Sequence, residues 1–232
     1  MSRPSAAMVL AAGRGTRMGA LTADRPKPLI EVRGRALIDI ALDRLLAAGV
    51  RRAVVNLHYL GAMLRAHLAG RAAPEIAFSE EAELLETGGG VKRALQLLGP
   101  APFLSLNADA VWTGPEPLPP LVAAWAPARM GALLQLVPRA RAVAHAGRGD
   151  FFLGDDGRLS RRGGAASAPY VFTGAQVIAP EAFAETPDGP FSTNLVWDRL
   201  IEEGRLFGQV HPGGWVDVGT PDGLAAAEAA MA

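Results

Sequence analysis

The chain has 232 residues, of which 50% are apolar and 20% charged, and its 23 Lys+Arg balance 23 Asp+Glu. Such a composition supplies a sizeable core and excludes global disorder, and the even charge excludes a general polyanion binder with a basic excess. Cysteine is absent, which rules out a disulfide framework, a thiolate metal site and a thiol nucleophile.

No secretory leader is legible in 1–10, and no run approaches the roughly 18 apolar residues of a membrane span. The expectation is therefore a cytoplasmic protein that acts on neither membrane nor nucleic acid.

In chain order, Ala6–Ala12 (AAMVLAA) is a short apolar run closed by Gly13, the pattern of a strand buried on both faces. A Gly-rich turn follows, and Pro26 and Pro28 exclude regular helix. Ala36–Ala48 carries apolar residues at helical spacing and stops at Gly49. Arg52–Asn56 predicts a strand, Leu60–Leu68 a helix, Ile76–Ser79 a strand, Gly90–Leu98 a helix and Phe103–Asn107 a strand. Strand and helix alternate about every 25 residues, the signature of βαβ units on a mainly parallel sheet.

Four prolines in 115–120 predict an irregular connection. Gly131–Val137 reads as a strand, and Asp155-Asp156-Gly157 as a hairpin turn between Phe151–Leu153 and Arg158–Ser160. Strands over Tyr170–Ile178 and Leu206–Val210 and helices over Leu195–Glu203 and Pro221–Met231 complete the chain. With no linker tract or internal repeat, 1–232 reads as one domain. Its fold class is α/β, a three-layer Rossmann-like mainly parallel sheet with small β-rich insertions.

The first glycine turn carries the most chemistry. Leu10-Ala11-Ala12-Gly13-Arg14-Gly15-Thr16-Arg17-Met18 leaves the first strand with glycines that allow backbone N–H groups to approach an anion. Arg14 and Arg17 add charge, and the prolines around Lys27 stiffen its backbone, so its ammonium is aimed at low entropic cost. The dinucleotide fingerprint fails, because the third glycine is one position late and the second strand ends in Asn56 rather than an acid. A Walker-type Gly-Lys-Ser/Thr is missing too. What remains is a cradle for a polyphosphate.

Asp109 follows the fourth strand, where the carboxyl ends of parallel strands line a ligand crevice. Asp217 lies in an apolar run, where a carboxylate is costly to bury without a cation. Two carboxylates from distant segments suit Mg²⁺, which takes one or two of them plus phosphate oxygens and water. The four histidines do not cluster and none reads as a metal ligand, and the four tryptophans read as core or pocket wall.

Four motifs occur together: Leu10-Ala-Ala-Gly-x-Gly-Thr-Arg-Met18, Pro26-Lys27-Pro28, Asn107-x-Asp109 and Trp215-x-Asp-Val-Gly-Thr220. In this order they resemble the sugar-1-phosphate nucleotidylyltransferases over nearly the whole chain. Glu86-Thr-Gly-Gly-Gly90 and Gly147-Arg148-Gly149-Asp150-Phe151 resemble one branch, the bacterial N-acetylmuramate-1-phosphate uridylyltransferases of cell-wall recycling.

The resemblance implies a nucleotide-binding part over about 1–110 and a sugar-binding part over about 111–220. It also implies an Mg²⁺-dependent enzyme on which a sugar 1-phosphate attacks the α-phosphorus of a nucleoside triphosphate, with UTP favoured, and pyrophosphate leaves. Lys27, Arg17 and Asp109 would be catalytic, and Asp109 and Asp217 would hold the metal. Leu10, Ala11, Ala12, Gly13, Arg14, Gly15 and Thr16, with Glu81, Thr87 and Gly88, would bind the nucleotide.

A carboxylate at Glu81 accepts from uracil or guanine alike, so guanylyl transfer to mannose 1-phosphate stays the enzyme alternative. A non-catalytic nucleotide-sugar-binding regulator is the alternative of another class. Many relatives carry Gly where this chain has Glu86. Asn107, Gly147, Arg148, Asp150 and Asn194 would serve the sugar, and Arg148, Arg161 or Arg162 would face the lactyl carboxylate of N-acetylmuramate.

Overall fold

In the apolar run that opens the chain, alternate side chains serve different cores. The computed structural model describes residues 3–231; Met1 and Ser2, which open the segment read for a leader, and Ala232 lie outside the described residues. Ala6–Leu10 is a strand. Its Ala7 and Val9 pack with Ile38, Leu42 and Leu45 of helix Leu37–Ala47, and its Met8 packs on the opposite face with Val91, Ala94 and Leu98 of helix Glu86–Leu98. A strand covered on both faces has no polar side. Each fully buried Leu or Ile in these layers stabilises by about 1.5–3 kcal/mol.

The neighbours of this strand, Arg52–Leu57 and Phe103–Asn107, are both parallel to it, and Glu75–Glu80 is parallel beyond Arg52–Leu57. Helices on both faces make three layers. The second half of the chain extends the same sheet to nine strands, with Tyr170–Ile178 antiparallel to Phe103–Asn107. The hydrogen-bonded sheet thus takes strands from both sides of residue 110. No helix among the described residues is long and apolar enough to cross a membrane.

Two features place the site. First, Tyr170–Ile178 keeps one edge on Ala132–Pro138, with a register shift between Phe172 and Gln176. Its other edge divides: 175–178 pair with Phe103–Asn107, and Tyr170 pairs with Phe151. Gly174 in the shift has φ +87, and a Cβ there would stand 2.9 Å from Asn107 Nδ2. Only glycine serves a bulge with that dihedral and that clearance. Second, a separate three-stranded sheet pairs Ala110–Thr113 antiparallel with Gly214–Asp217, which lies parallel to Ala142–Val143. Its register sets Asp217 opposite Ala110, the residue after Asp109.

One expected loop is a helix. Leu118–Ala124 forms despite the prolines, because Pro119 and Pro120 fall in the first turn, where backbone N–H groups have no intrahelical acceptor.

Candidate active site

At the carboxyl ends of the parallel strands the glycine turn walls a cleft of about 250 Å³, lined by Leu10, Ala11, Gly13, Gly15, Thr16, Arg17, Lys27, Pro28, Ala108, Asp109 and Gly219. Gly15 adopts φ +63, and a Cβ on it would meet Lys27 Cβ at 3.0 Å. The carbonyl of Gly15 accepts from Met18 N–H at 2.9 Å and from Thr22 Oγ1 at 3.1 Å, which locks the turn. Lys27 is 8% exposed and its ammonium is paired with the Asp109 carboxylate.

Asp217 reaches the same neighbourhood from the small sheet. A Cβ at Gly219 would stand 2.9 Å from both Arg17 Nη2 and Asp217 Oδ1. His145 Nδ1 lies 3.8 Å from Asp217 Oδ2, and the His145 ring packs on Trp215. The neighbouring His145 imidazole holds the Asp217 carboxyl below the usual carboxylate range; burial opposes it, and the charges of Arg17 and Lys27 reinforce it.

A second hollow of about 210 Å³ continues from this cleft, lined by Leu10, Ala12, Gly13, Asn56, Glu81, Leu84, Glu86, Thr87, Asn107 and Asp109. Glu81, expected to bind the nucleotide, is buried and accepts from Asn56 Nδ2 at 2.7 Å and from Leu85 N–H at 3.1 Å. Thr87 Oγ1 accepts from Thr193 N–H at 3.0 Å, tying this wall to the helix that follows.

Glu86 stands at φ +58, in the left-handed region that favours glycine. That strain costs about 1–2 kcal/mol, and glycine would return about 0.5–1 kcal/mol of it through a more flexible unfolded chain. Glu86→Gly should therefore stabilise the protein by about 0.5–1 kcal/mol, read from the urea midpoint at unchanged slope.

The gap beside Gly174 prolongs the hollow past Ser105, Asn107, Phe172, Gln176, Ser192, Thr193, Asn194 and Trp197. Phe172, Asn194 and Trp197 also line a cavity of about 380 Å³ that holds Asp150, Arg161, Arg162 and Asp198. Arg161 donates to Asp198 Oδ1 at 2.7 Å and lies over the Trp197 ring, whereas Arg162 Nη1 donates only to Ala165 O at 3.0 Å. Asp150 Oδ2 accepts from Phe172 N–H at 2.9 Å. The shared residues make these spaces one groove.

Most of the expected residues line this groove; Asp217 stands beside it, next to Arg17 and Gly219, and four others do not line it. Arg14 is exposed outside the cleft. Gly88 gives its N–H to Phe191 O at 2.8 Å and packs under that ring, so its part is helix packing. Gly147 and Arg148 lie on the exposed strip after Val143, and a Cβ at Gly147 would strike His145 Nε2 at 2.3 Å.

Sequence reasoning missed Asn56, His145 and Asp198. Asn56 sits near the carboxyl end of a parallel strand, a position that itself points to a ligand crevice. His145 gives no such signal, since only the pairing of Ala142–Val143 with Gly214–Asp217 brings it to Asp217. Trp112, Trp125 and Trp215 are core, and Trp197 walls the groove.

Residues 7–151 match the model of a MobA-like NTP transferase domain. The chain is 45% identical to the N-acetylmuramate alpha-1-phosphate uridylyltransferase of Caulobacter vibrioides, covering 99% of this chain and 98% of that protein. It is 37% identical to the enzyme of the same name from Neisseria meningitidis serogroup B, covering 96% of each. A UDP-glucose pyrophosphorylase solved with UDP-glucose superposes with a TM-score of 0.82 over 98% of each chain at 17% identity, a likeness of fold.

Proposed function

Because the chain belongs to the MobA-like NTP transferase family and is a sugar-1-phosphate nucleotidyltransferase, we propose that its own pair is UTP and N-acetylmuramate 1-phosphate. The products are UDP-N-acetylmuramate and pyrophosphate, made by a cytoplasmic enzyme of cell-wall recycling. One observation carries this reading: a single groove leads from a cationic glycine cleft to a cavity holding Arg161 and Arg162. A triphosphate needs the first end, and a sugar bearing a carboxylate suits the second. The relatives from Caulobacter and Neisseria support the same pair.

In this reading an oxygen of the sugar phosphate bonds to the α-phosphorus, and the bond to the β-phosphate breaks with its electrons leaving on pyrophosphate. Two anions must meet, so charge neutralisation and positioning are the main requirements. Lys27 stabilises charge at the α-phosphate. Arg17 and the amides of 13–16 hold the departing phosphates, with Asp109 and Asp217 on adjacent strand ends beside them.

The donor set of Asp109 and Asp217 fits Mg²⁺. Both offer hard oxygens on adjacent strand ends, and no cluster of three His, Asp or Glu metal ligands exists among the described residues. A cation that leaves most of its shell to water and phosphate needs no more. Bound there, Mg²⁺ would supply Lewis-acid neutralisation between the two phosphates.

Pyrophosphate release over four triphosphates and several sugar 1-phosphates tests the pair. UTP with N-acetylmuramate 1-phosphate should lead by at least about tenfold in kcat/KM, about 1.4 kcal/mol. A leading GTP and mannose 1-phosphate pair overturns the reading. Arg162→Ala should raise KM about tenfold for N-acetylmuramate 1-phosphate and leave N-acetylglucosamine 1-phosphate, which has no lactyl carboxylate, unaffected.

A further inference from the structure

Three buried groups join the hollow beside Glu81 to the phosphate cleft. Ala11 N–H, inside the glycine turn, donates to Asn56 Oδ1 at 2.6 Å, and Asn56 Nδ2 donates to Glu81 Oε1 at 2.7 Å. The other oxygen, Glu81 Oε2, accepts from Leu85 N–H at 3.1 Å at the start of helix Glu86–Leu98. Asn56 is 3% exposed and Glu81 5%, so water replaces none of these partners cheaply. Helix residue Gly90 seals the contact, since a Cβ there would stand 2.8 Å from Glu81 Oε1 and 3.0 Å from Asn56 Nδ2.

Donor and acceptor roles leave a single arrangement. An N–H only donates and a carboxylate only accepts, so the Asn56 amide must present oxygen to Ala11 and nitrogen to Glu81.

We propose that Asn56 is a positioning residue that couples the two halves of the nucleotide site, so that the wall bearing Glu81 and the phosphate-binding amides hold one relative placement. The inference rests on triphosphate binding at the glycine turn. It gives Glu81 an internal duty that is independent of which base is bound. Its consequence is a uniform effect: weakening the relay lowers affinity for every triphosphate and leaves the sugar 1-phosphate end of the groove, where neither residue lies, as it was.

The test is a mutant cycle read by titration calorimetry of the triphosphate together with the KM of each substrate. Asn56→Asp sets two carboxylates face to face and should weaken UTP at least about tenfold. Glu81→Gln must turn an N–H toward either Asn56 or Leu85, both donors, and should weaken it similarly. In the double variant Asn56→Asp/Glu81→Gln the new glutamine amide donates to the new aspartate and accepts from Leu85 N–H. The aspartate still accepts from Ala11 N–H, so complementarity returns. UTP affinity should then recover to within about threefold of wild type, with KM for the sugar 1-phosphate and the order of preference among triphosphates unchanged throughout.

A single variant that binds UTP as wild type does overturns the inference, as does a double variant no better than the singles, or an equal loss for sugar and nucleotide. Should the wild type prefer another triphosphate, the substrate reading fails, and the same cycle run with that triphosphate decides the relay.

Discussion

Lys27→Ala is expected to lower kcat by about 10²–10³-fold while the protein stays folded. Losing one preorganised donor aimed at developing charge has that magnitude, and Lys27 meets the conditions: buried stem, stiff Pro26–Pro28 backbone, and an ammonium fixed on Asp109 beside the glycine amides. The structural cost is smaller. The Asp109 side chain is 31% exposed, so water re-solvates it when its partner is lost. A penalty of about 1–3 kcal/mol stands against a total stability of about 5–15 kcal/mol. Circular dichroism and a melting curve establish folding, and single-turnover rates isolate chemistry from product release. Unchanged turnover would remove Lys27 from the mechanism.

Asp109→Asn is expected to lose about as much, roughly 10²–10³-fold in kcat, for a different reason. The substitution keeps the shape and removes the charge that anchors Lys27 and that, in the proposed mechanism, would with Asp217 offer oxygens to a divalent cation. Two carboxylates serving one cation act as a unit, and groups acting as a unit are not additive. If the proposed Mg²⁺ is shared, the double variant Asp109→Asn/Asp217→Asn should therefore be little slower than the worse single variant, with activity in all three calling for more Mg²⁺ than the wild type. Independent, multiplying losses would show that the two acids do not share an ion.

The parts legible in the sequence are those that neighbouring residues settle. Ala6–Leu10 could be read as a buried strand because both of its faces are apolar. The turn at 13–17 could be read as an anion cradle because glycine dihedrals and arginine charge act within a few residues. Helix Leu37–Ala47 ends beside Gly49, as its spacing predicts. The proline run at 115–120 misled because proline's exclusion from helices spares the first turn, and where a helix begins is itself set by packing. Glu81, read as a base-binding carboxylate from the resemblance, has a further partner that the sequence does not show: the fold buries it against Asn56.

Strand pattern, the glycine turn and the chemistry expected of Lys27, Asp109 and Asp217 were thus legible in the sequence alone. Tertiary structure decided the rest: that Asp217 lies across from Ala110, that His145 stands behind it, that a bulge at Gly174 opens the groove, and that Arg162 rather than Arg148 borders it. The physical reason is range. Dihedral preference and hydrophobic period act over a few residues, whereas these contacts depend on the register between strands far apart in the chain, which is selected when both faces of the sheet are buried.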